Sequence, residues 1–571
     1  MKSLEVPTLK NALERSVEQY ADRPALTFVE GEPLTYARFH QMVRDVSLLL
    51  QSRGVVPGDK VALIGENMPH WGVAYFAVTC MGCVIVPILQ EFHVSAVHHI
   101  LRHSEAKAVF ASKRYFDKVE ECEAEDLHTR IILDDLSLVS EEDNFKTNFR
   151  EAMAQARAWY DRMREKVMNY FDKGTSDITP ESLAAILYTS GTTGHSKGVM
   201  LTHENIVFNA ESTANIVNVN HEDRLLSVLP LSHTYECTLG LILPLTRGAS
   251  VHYLQKPPTP RTLIPAMQKV KPTYLLLVPL VIEKIYRNRI LPKLSGNAFG
   301  RNLMKLGAGK KKLQQVAGRK LMESFGGNIK CIPIGGAFLA PEVELFMRNA
   351  DIPYAIGYGM TETSPLISGS KPADTRFRGA GKTIPQVEIT IDNADPQTGE
   401  GEILVKGPNV MQGYYKAPAV TEEVFTEDGW LRTGDLGYVD DDGYLFIKGR
   451  LKNVIIGPSG ENIYPEEIEA AVNDCEYVLE SLVFRQDNRL CARVHLDYDA
   501  LDAKYGTRDM TETKAHAKVQ EVLDGIQKKV NASVSSFSRL ARIIEQVEPF
   551  DKTPTHKIKR YLYVDPEESR K

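Results

Sequence analysis

The chain has 571 residues, 43% of them hydrophobic and 25% charged, with a formal net charge of −6 at neutral pH. That length exceeds what one hydrophobic core organises, so several domains or subdomains are expected, and the negative balance excludes a global nucleic-acid-binding charge. Seven cysteines are too few for a disulfide framework and suit a reducing compartment.

The N-terminal stretch "MKSLEVPTLKNALERSVEQY" lacks the apolar block of a signal peptide. Residues 55–136 repeatedly set a short β-branched run beside a helical pattern: "KVALIGEN", "VIVPIL", "AKAVFAS" and "RIILDD". That alternation predicts parallel α/β structure. Two pairings inside it invite functional readings. Cys80 and Cys83 in "CMGC" have redox spacing but sit in an apolar helix-to-strand passage, where small core residues are expected. His99 and His103 lie one helical turn apart, yet no second motif supports a metal site.

Residues 138–173 read as a charged, aromatic-spotted helical excursion over the surface. The strand-and-helix rhythm then resumes, with "LAAILY", "LLSVLPL", "YLLLVPL" and "CIPIGGA" as strands. The most apolar run, Tyr274 to Ile282, is half a membrane span and contains a proline, so a transmembrane chain is not expected. Residues 284–330 hold 12 Lys or Arg and one acidic residue, Glu323, interleaved with apolar positions. They read either as a solvated helix pair or as an amphipathic patch for anionic lipid, with the phosphates of a soluble ligand a third option. After Ser370, Gly, Pro and Asp punctuate short strands ("VEITID", "GEILVKG", "GYLFIKGR"), as in a small β-rich unit. Beyond Arg450, a helix followed by hairpin-like strands suggests a separate α+β domain.

Four strings carry chemistry. "AILYTSGTTGHSKGVMLTHEN", from Ala185 to Asn205, has its lysine misplaced for a Walker loop. It still offers hydroxyls at Thr189, Ser190, Thr192 and Thr193, glycines at 191 and 194, and Lys197. Inward-turned backbone N–H groups, hydroxyls and one ammonium can hold an anionic chain. In "IPYAIGYGMTETSPLIS", Tyr358 stands between two glycines, including Gly359, and suits stacking on a flat ring. Thr361 and Glu362 set a hydroxyl beside a carboxylate, suited to a phosphate and to Mg²⁺. Asp435, in a Gly-flanked turn, can accept bonds from two ribose hydroxyls, and Arg450 ends a strand at the apparent domain boundary. "PFDKTPTHKIKRYLY" gathers Lys552, Lys557, Lys559 and Arg560 in one basic run.

Together these strings resemble the adenylate-forming, AMP-binding superfamily, and in particular its long-chain fatty acyl-CoA synthetases. The resemblance spans roughly Leu34 to Lys559, with four motifs in the family's order. It implies an α/β fold: a large N-terminal domain of doubly wound sheets plus a small β-barrel-like unit, residues 1–450, then a mobile α+β C-terminal domain, residues 451–571. It implies that Thr189, Ser190, Gly191, Thr192, Thr193, Gly194 and Lys197 hold the β,γ-phosphates of ATP. Gly335, Gly336 and Ala337 would line the acyl and adenine pockets, and Tyr358 would stack on adenine. Thr361 would bind the α-phosphate, Glu362 a Mg²⁺ ion, and Asp435 with Arg450 the ribose. Lys452 falls at the hinge, Lys557 is the adenylation lysine, and Gly460 lies where a second conformation forms the pantetheine tunnel. Two departures, Ser196 for the frequent Pro and His556 for the frequent Gly, point to subfamily; the latter is familiar in long-chain members.

"LPLSHTYECTLGLILPL", Leu229 to Leu245, matches the segment bordering the acyl pocket. Amino-acid-activating relatives usually place an aspartate where this chain has His233, and without that counter-ion burying an ammonium is costly. Amino acids are therefore disfavoured, and "PLSHTYE" resembles the fatty acyl-CoA synthetases, particularly the long-chain type, which implies a long-chain fatty acid as substrate, with ATP and CoA as co-substrates and Mg²⁺ as cofactor. A medium-chain or aryl acid, and a non-catalytic lipid- or nucleotide-binding relative, are the alternatives. The expected location is cytoplasmic, with residues 284–330 a candidate for peripheral contact with a membrane's inner face and a homodimer left open.

Overall fold

The computed structural model describes residues 4–139, 146–174, 178–189, 196–295, 307–456, 462–487, 489–553 and 557–564. It divides into two compact units. The first comprises the described residues up to Ala337 with Phe346–Ile389 and Val405–Leu431; the second comprises Phe338–Leu345, Thr390–Leu404 and the described residues from Arg432 onward.

In the first unit a nine-stranded sheet runs in the order Gly413–Tyr414, Lys197–Thr202, Leu183–Thr189, Val84–Pro87, Lys60–Ile64, Ala106–Ala111, Thr129–Ile132, Leu138–Val139, Lys146–Thr147. The five central strands are parallel. Their near-continuous apolar runs follow from burial on both faces. Val61 and Leu63 point into a core with Phe39, Trp71 and Phe76, while Ala62 and Ile64 point into another with Val97, Ile100 and Leu101. The period-two alternation of a strand thus feeds two helix layers, as doubly wound architecture requires.

A second parallel set, Arg224–Ser227, Ser250–Tyr253 and Pro24–Phe28, carries Leu34–Thr35 antiparallel at its edge. "YLLLVPL" differs from its expected strand. Tyr274 and Leu277 make isolated parallel bridges to Leu225, Cys331 and Ile334. Pro279 then opens a helix, Pro279–Ile285, because its missing N–H costs nothing in a first turn. Ile332–Ile334 and Tyr354–Ile356 pair in parallel. The expected helical excursion is the helix Phe149–Gly174, whose Ala152, Met153 and Ala156 join the core; its first turns are docked rather than loose.

The β-rich stretch forms a three-stranded sheet (Tyr358–Gly359, Leu366–Gly369, Lys382–Thr383) and a four-stranded one (Glu388–Asp392, Gly401–Lys406, Leu431–Val439, Leu445–Arg450). Beyond it, the helix Pro465–Asn473 precedes the hairpin Val478–Gln486/Arg489–Leu496, and Arg542–Glu545 adds in parallel. The helix Glu512–Ser533 buries Val519, Leu523, Ile526 and Val530. These positions recur at helical spacing and form one stripe over the small core. Among the described residues no helix is long and apolar enough to cross a membrane.

Candidate active site

Leu183–Thr189 and Lys197–Thr202 form an antiparallel hairpin in which Thr189 pairs with Lys197. Thr189 and Lys197 therefore stand at the two feet of the glycine- and hydroxyl-rich loop. Ser190, Gly191, Thr192, Thr193 and Gly194 lie outside the described residues. On the other side of Lys197–Thr202, Tyr414 pairs with Val199. Lys197 is two residues from Val199 and so is the diagonal neighbour of Tyr414 on one face; its Nζ lies 5.1 Å from the Tyr414 ring centroid. The Tyr414 hydroxyl donates to Glu362 Oε1 at 2.9 Å. The lysine and the carboxylate singled out in two distant motifs thus meet through one aromatic ring that sequence reasoning missed.

Glu362 sits in a single tight turn, Thr361–Thr363, whose surroundings fix it with neutral amides. The helix His203–Val217 starts at a capping box between Thr202 and Asn205, and it places Asn205 and Asn209 one turn apart on one face. Asn209, fully buried, donates to the Thr363 and Leu366 carbonyls at 3.2 and 2.8 Å and accepts from Leu366 N at 3.2 Å. Asn205 donates to the Pro408 and Val410 carbonyls at 2.7 and 3.0 Å. Asn409 donates to the Leu366 carbonyl at 2.9 Å, and the Ser364 hydroxyl donates to the Asn409 carbonyl at 3.0 Å. Met411 N closes the circuit on the Glu362 carbonyl at 2.9 Å. One helix thereby holds the Glu362 turn and the approach to Tyr414. Two asparagines four apart, set among Ile206, Val207, Phe208 and Ala210, were the available signal.

The parallel strands Ile332–Ile334 and Tyr354–Ile356 end together, so Gly335–Gly336–Ala337 and Gly357–Tyr358 leave side by side. Crevices outside the carboxyl ends of parallel strands are the usual ligand positions of such sheets. Gly336 has φ +87°, in the left-handed region that favours glycine. At Gly359 a Cβ would stand 1.9 Å from the Pro365 carbonyl oxygen, so the backbone beside Tyr358 approaches more closely than any side chain permits. The segment Leu229–Leu245 adjoins this strip: the Tyr235 ring lies 3.6 Å from where a Cβ at Gly335 would be. His233 caps the short helix Thr234–Glu236.

Glu236 is buried. Its Oε1 accepts from Ser227 Oγ at 2.5 Å, and Ser227 in turn accepts from Asn67 Nδ2 at 2.8 Å. Asn67 also holds the Leu229 carbonyl and Leu231 N at 2.6 and 3.0 Å. Burial, opposed by the Ser227 bond, pushes the Glu236 carboxyl up to about 8, so it is mostly protonated at neutral pH. A neutral Glu236 within the segment Leu229–Leu245 is a structural acid, not a counter-ion.

In the second unit, Asp435 and Arg450 face one another across a hairpin and pair, Arg450 Nε to Asp435 Oδ1 at 2.7 Å. Lys452 follows in the turn Leu451–Asn453. Its side chain is exposed, yet its ammonium is held below the ordinary lysine range, first by partial desolvation, then by the positive charges of Arg450 and Lys557. Lys557 is exposed and anchored by its backbone: its N donates to Thr553 Oγ1 at 3.2 Å, and its carbonyl accepts from Thr553 N at 2.8 Å. Two of the neighbouring basic residues are latches. Lys552 pairs with Glu480 and Arg560 with Glu469. His556 and Gly460 lie outside the described residues.

The remaining sequence pairings resolve as packing. Cys83 is buried, and burial pushes both Cys80 and Cys83 thiols up to about 12, which keeps them unreactive. His103 Nδ1 lies 2.7 Å from the Tyr188 hydroxyl. Among the described residues no three His, Cys, Asp or Glu gather as a metal site. A single carboxylate beside a hydroxyl, as at Glu362 and Thr361, fits Mg²⁺ that draws its other ligands from phosphates and water.

The family model for the AMP-binding enzyme matches residues 13–415. A long-chain-fatty-acid–CoA ligase of Drosophila melanogaster, heimdall, is 28% identical over 537 residues, 87% of this chain and 77% of that one. A peroxisomal long chain acyl-CoA synthetase 6 of Arabidopsis thaliana is 27% identical over 601 residues, 97% and 84% of the two. The crystal structure of ATP-bound MatB from Rhodopseudomonas palustris superposes with a TM-score of 0.72 at 25% identity, covering 98% of each chain. With the loop-flanking lysine, the braced Glu362 turn and the glycine strip in the family's order, the chain belongs to the AMP-binding, adenylate-forming enzymes.

Proposed function

We propose that this chain activates a long-chain fatty acid with ATP and passes the acyl group to CoA. The observation that carries the reading is the meeting of Lys197 and Glu362 at Tyr414, below the phosphate loop and in the unit that holds the glycine strip. A carboxylate oxygen of the acid attacks the α-phosphorus, the bond to the β-phosphate oxygen breaks, and pyrophosphate leaves. The CoA thiol then attacks the acyl carbonyl, losing its proton, and AMP leaves.

In this reading Lys197 and the loop hydroxyls hold the departing β,γ-phosphates. Thr361 binds the α-phosphate, Tyr358 stacks on adenine, and Asp435 with Arg450 takes the ribose hydroxyls. Glu362 would hold Mg²⁺, which when bound neutralises phosphate charge. The Lys557 ammonium stabilises the charge that grows between the attacking carboxylate and the α-phosphate. The functional boundary falls at residues 450/451, with Lys452 as hinge and Gly460 in the CoA channel, so that one small domain serves both half-reactions. His233, in place of a carboxylate, and the two long-chain relatives support a fatty acid. Lys311, Lys312, Arg319 and Lys320 are exposed and support contact with an anionic membrane surface, whereas Lys330 pairs with Asp223 at 2.7 Å.

AMP release from ATP and Mg²⁺, with and without CoA, across short, medium, long-chain and aryl acids tests the reading. A CoA-dependent signal peaking with long-chain acids is expected. A peak at medium-chain or aryl acids would replace the substrate, and silence with ATP still bound would point to a non-catalytic relative. Lys557→Ala should abolish adenylation and spare thioester formation from supplied acyl-AMP; equal loss of both steps would remove the role given to Lys557.

A further inference from the structure

We propose that Tyr414 is a positioning residue for adenylation, whose hydroxyl orients the Glu362 carboxylate and whose ring seats the Lys197 ammonium. The two opposite charges are thereby kept from pairing with each other, which leaves the carboxylate for the metal and the ammonium for the polyphosphate. This rests on the roles given above to Glu362 and Lys197.

The geometry assigns both functions to one side chain. The hydroxyl donates to Glu362 Oε1 at 2.9 Å, which fixes the carboxylate plane without adding charge. The Lys197 Nζ lies 5.1 Å from the ring centroid, within the range of a cation–π contact. A lysine so seated is attracted by the ring but keeps donors for phosphate. In direct contact with Glu362 it would instead have to break an ion pair before binding ATP.

Tyr414 is itself held rigidly. It is buried and paired with Val199. Its backbone N donates to Thr421 Oγ1 at 2.9 Å, and its carbonyl accepts from Ala417 N at 3.1 Å. A Cβ at the preceding Gly413 would stand 2.6 Å from Thr421 Cγ2, so glycine lets this clamp close. Such support is what a side chain needs to hold two others in place.

The test is calorimetric binding of ATP with and without Mg²⁺, in the absence of acid and CoA, alongside pyrophosphate exchange. Tyr414→Phe, which keeps the ring, should weaken Mg²⁺–ATP binding and raise the Mg²⁺ requirement of exchange about tenfold, the worth of one charge-assisted hydrogen bond. Metal-free ATP should bind it within about twofold of wild type, as the cation–π contact survives. Tyr414→Leu should weaken both. In the double variant Tyr414→Phe/Glu362→Gln, the loss should not exceed that of Glu362→Gln alone, since both remove one interaction. Additive losses, or a wild-type Mg²⁺ response in Tyr414→Phe while Glu362→Gln is impaired, would overturn the proposal and leave the site reading intact. If neither Glu362→Gln nor Lys197→Ala alters ATP binding, the site reading itself fails. Should Tyr414→Leu not fold, Tyr414→Phe and the double variant decide.

Discussion

The Glu362 turn and the Lys557 loop each present one residue of the proposed chemistry, and they are held by different means. Around Glu362 the supports are uncharged: Asn205, Asn209 and Asn409 satisfy backbone carbonyls, and Tyr414 adds a neutral hydroxyl. Around Lys557 the neutral bonds to Thr553 are flanked by ionic supports, Lys552 to Glu480 and Arg560 to Glu469. The difference has a physical reason. A carboxylate proposed to hold a metal is weakened as a ligand when fixed cations pair with it, whereas amides hold shape without adding charge. A loop on a small domain has less core to lean on, and ion pairs fasten it at its two ends.

The most damaging break should come from the amide side. Asn209→Ala removes three hydrogen bonds and takes the amide from the buried Thr363 carbonyl and the Leu366 N–H, while Asn409 still holds the Leu366 carbonyl, so it should destabilise the first unit by about 2–4 kcal/mol and abolish pyrophosphate exchange. Asn209→Asp, which keeps the acceptor but loses both donors, should behave similarly. Thermal unfolding together with exchange rates checks this; a stable, active Asn209→Ala would mean the turn is held elsewhere.

Glu236 sharpens the comparison, because it is an acid kept neutral within the amide-supported region. Its folded value, about 8, lies above that of an unfolded glutamate. The stability it contributes is therefore fully present below about pH 4.5 and is lost as pH rises through about 8, at most about 1.4 kcal/mol per pH unit. Glu236→Gln should match wild type near pH 4.5 and lose less stability between pH 4.5 and 8. Parallel unfolding curves for the two proteins would show Glu236 ionised throughout.

On the ionic side, burial pushes Glu469 up to about 7 against the pull of Arg560. The group's contribution is again largest at low pH and fades as pH rises through about 7. Without Arg560 the carboxyl would titrate higher still. Arg560→Ala should accordingly cost less than about 1 kcal/mol at pH 5 and about 1–2 kcal/mol above pH 8, read as the pH dependence of unfolding. The smallest effect belongs to Lys552→Ala, about 1 kcal/mol or less. It should shrink further in about 0.5 M salt, which screens this latch and leaves Asn209→Ala unchanged.

The parallel α/β rhythm, the strand entering the glycine- and hydroxyl-rich loop, and the helix and hairpin after Asn462 were legible because each is a local pattern. Strand alternation and helical spacing depend on neighbours a few residues apart. Lys197, Glu362, Asp435, Arg450 and Lys557 could be singled out as candidates as well, since each stands in a short string that resembles one of the family's motifs. Tertiary structure decided what those residues touch. Tyr414 lies 217 positions from Lys197 and 52 from Glu362 along the chain, so its role exists only once strand Gly413–Tyr414 pairs beside Val199. Asn209 looks like an ordinary helical residue until the Thr363–Leu366 carbonyls arrive against it. Glu236 reads as a charge until burial makes it an acid, and Lys552 and Arg560 read as a basic tail until Glu480 and Glu469 turn them into latches. Sequence fixes the chemical identity of each group through covalent structure and local pattern; desolvation and long-range pairing, which depend on distant segments, decide its charge and its work.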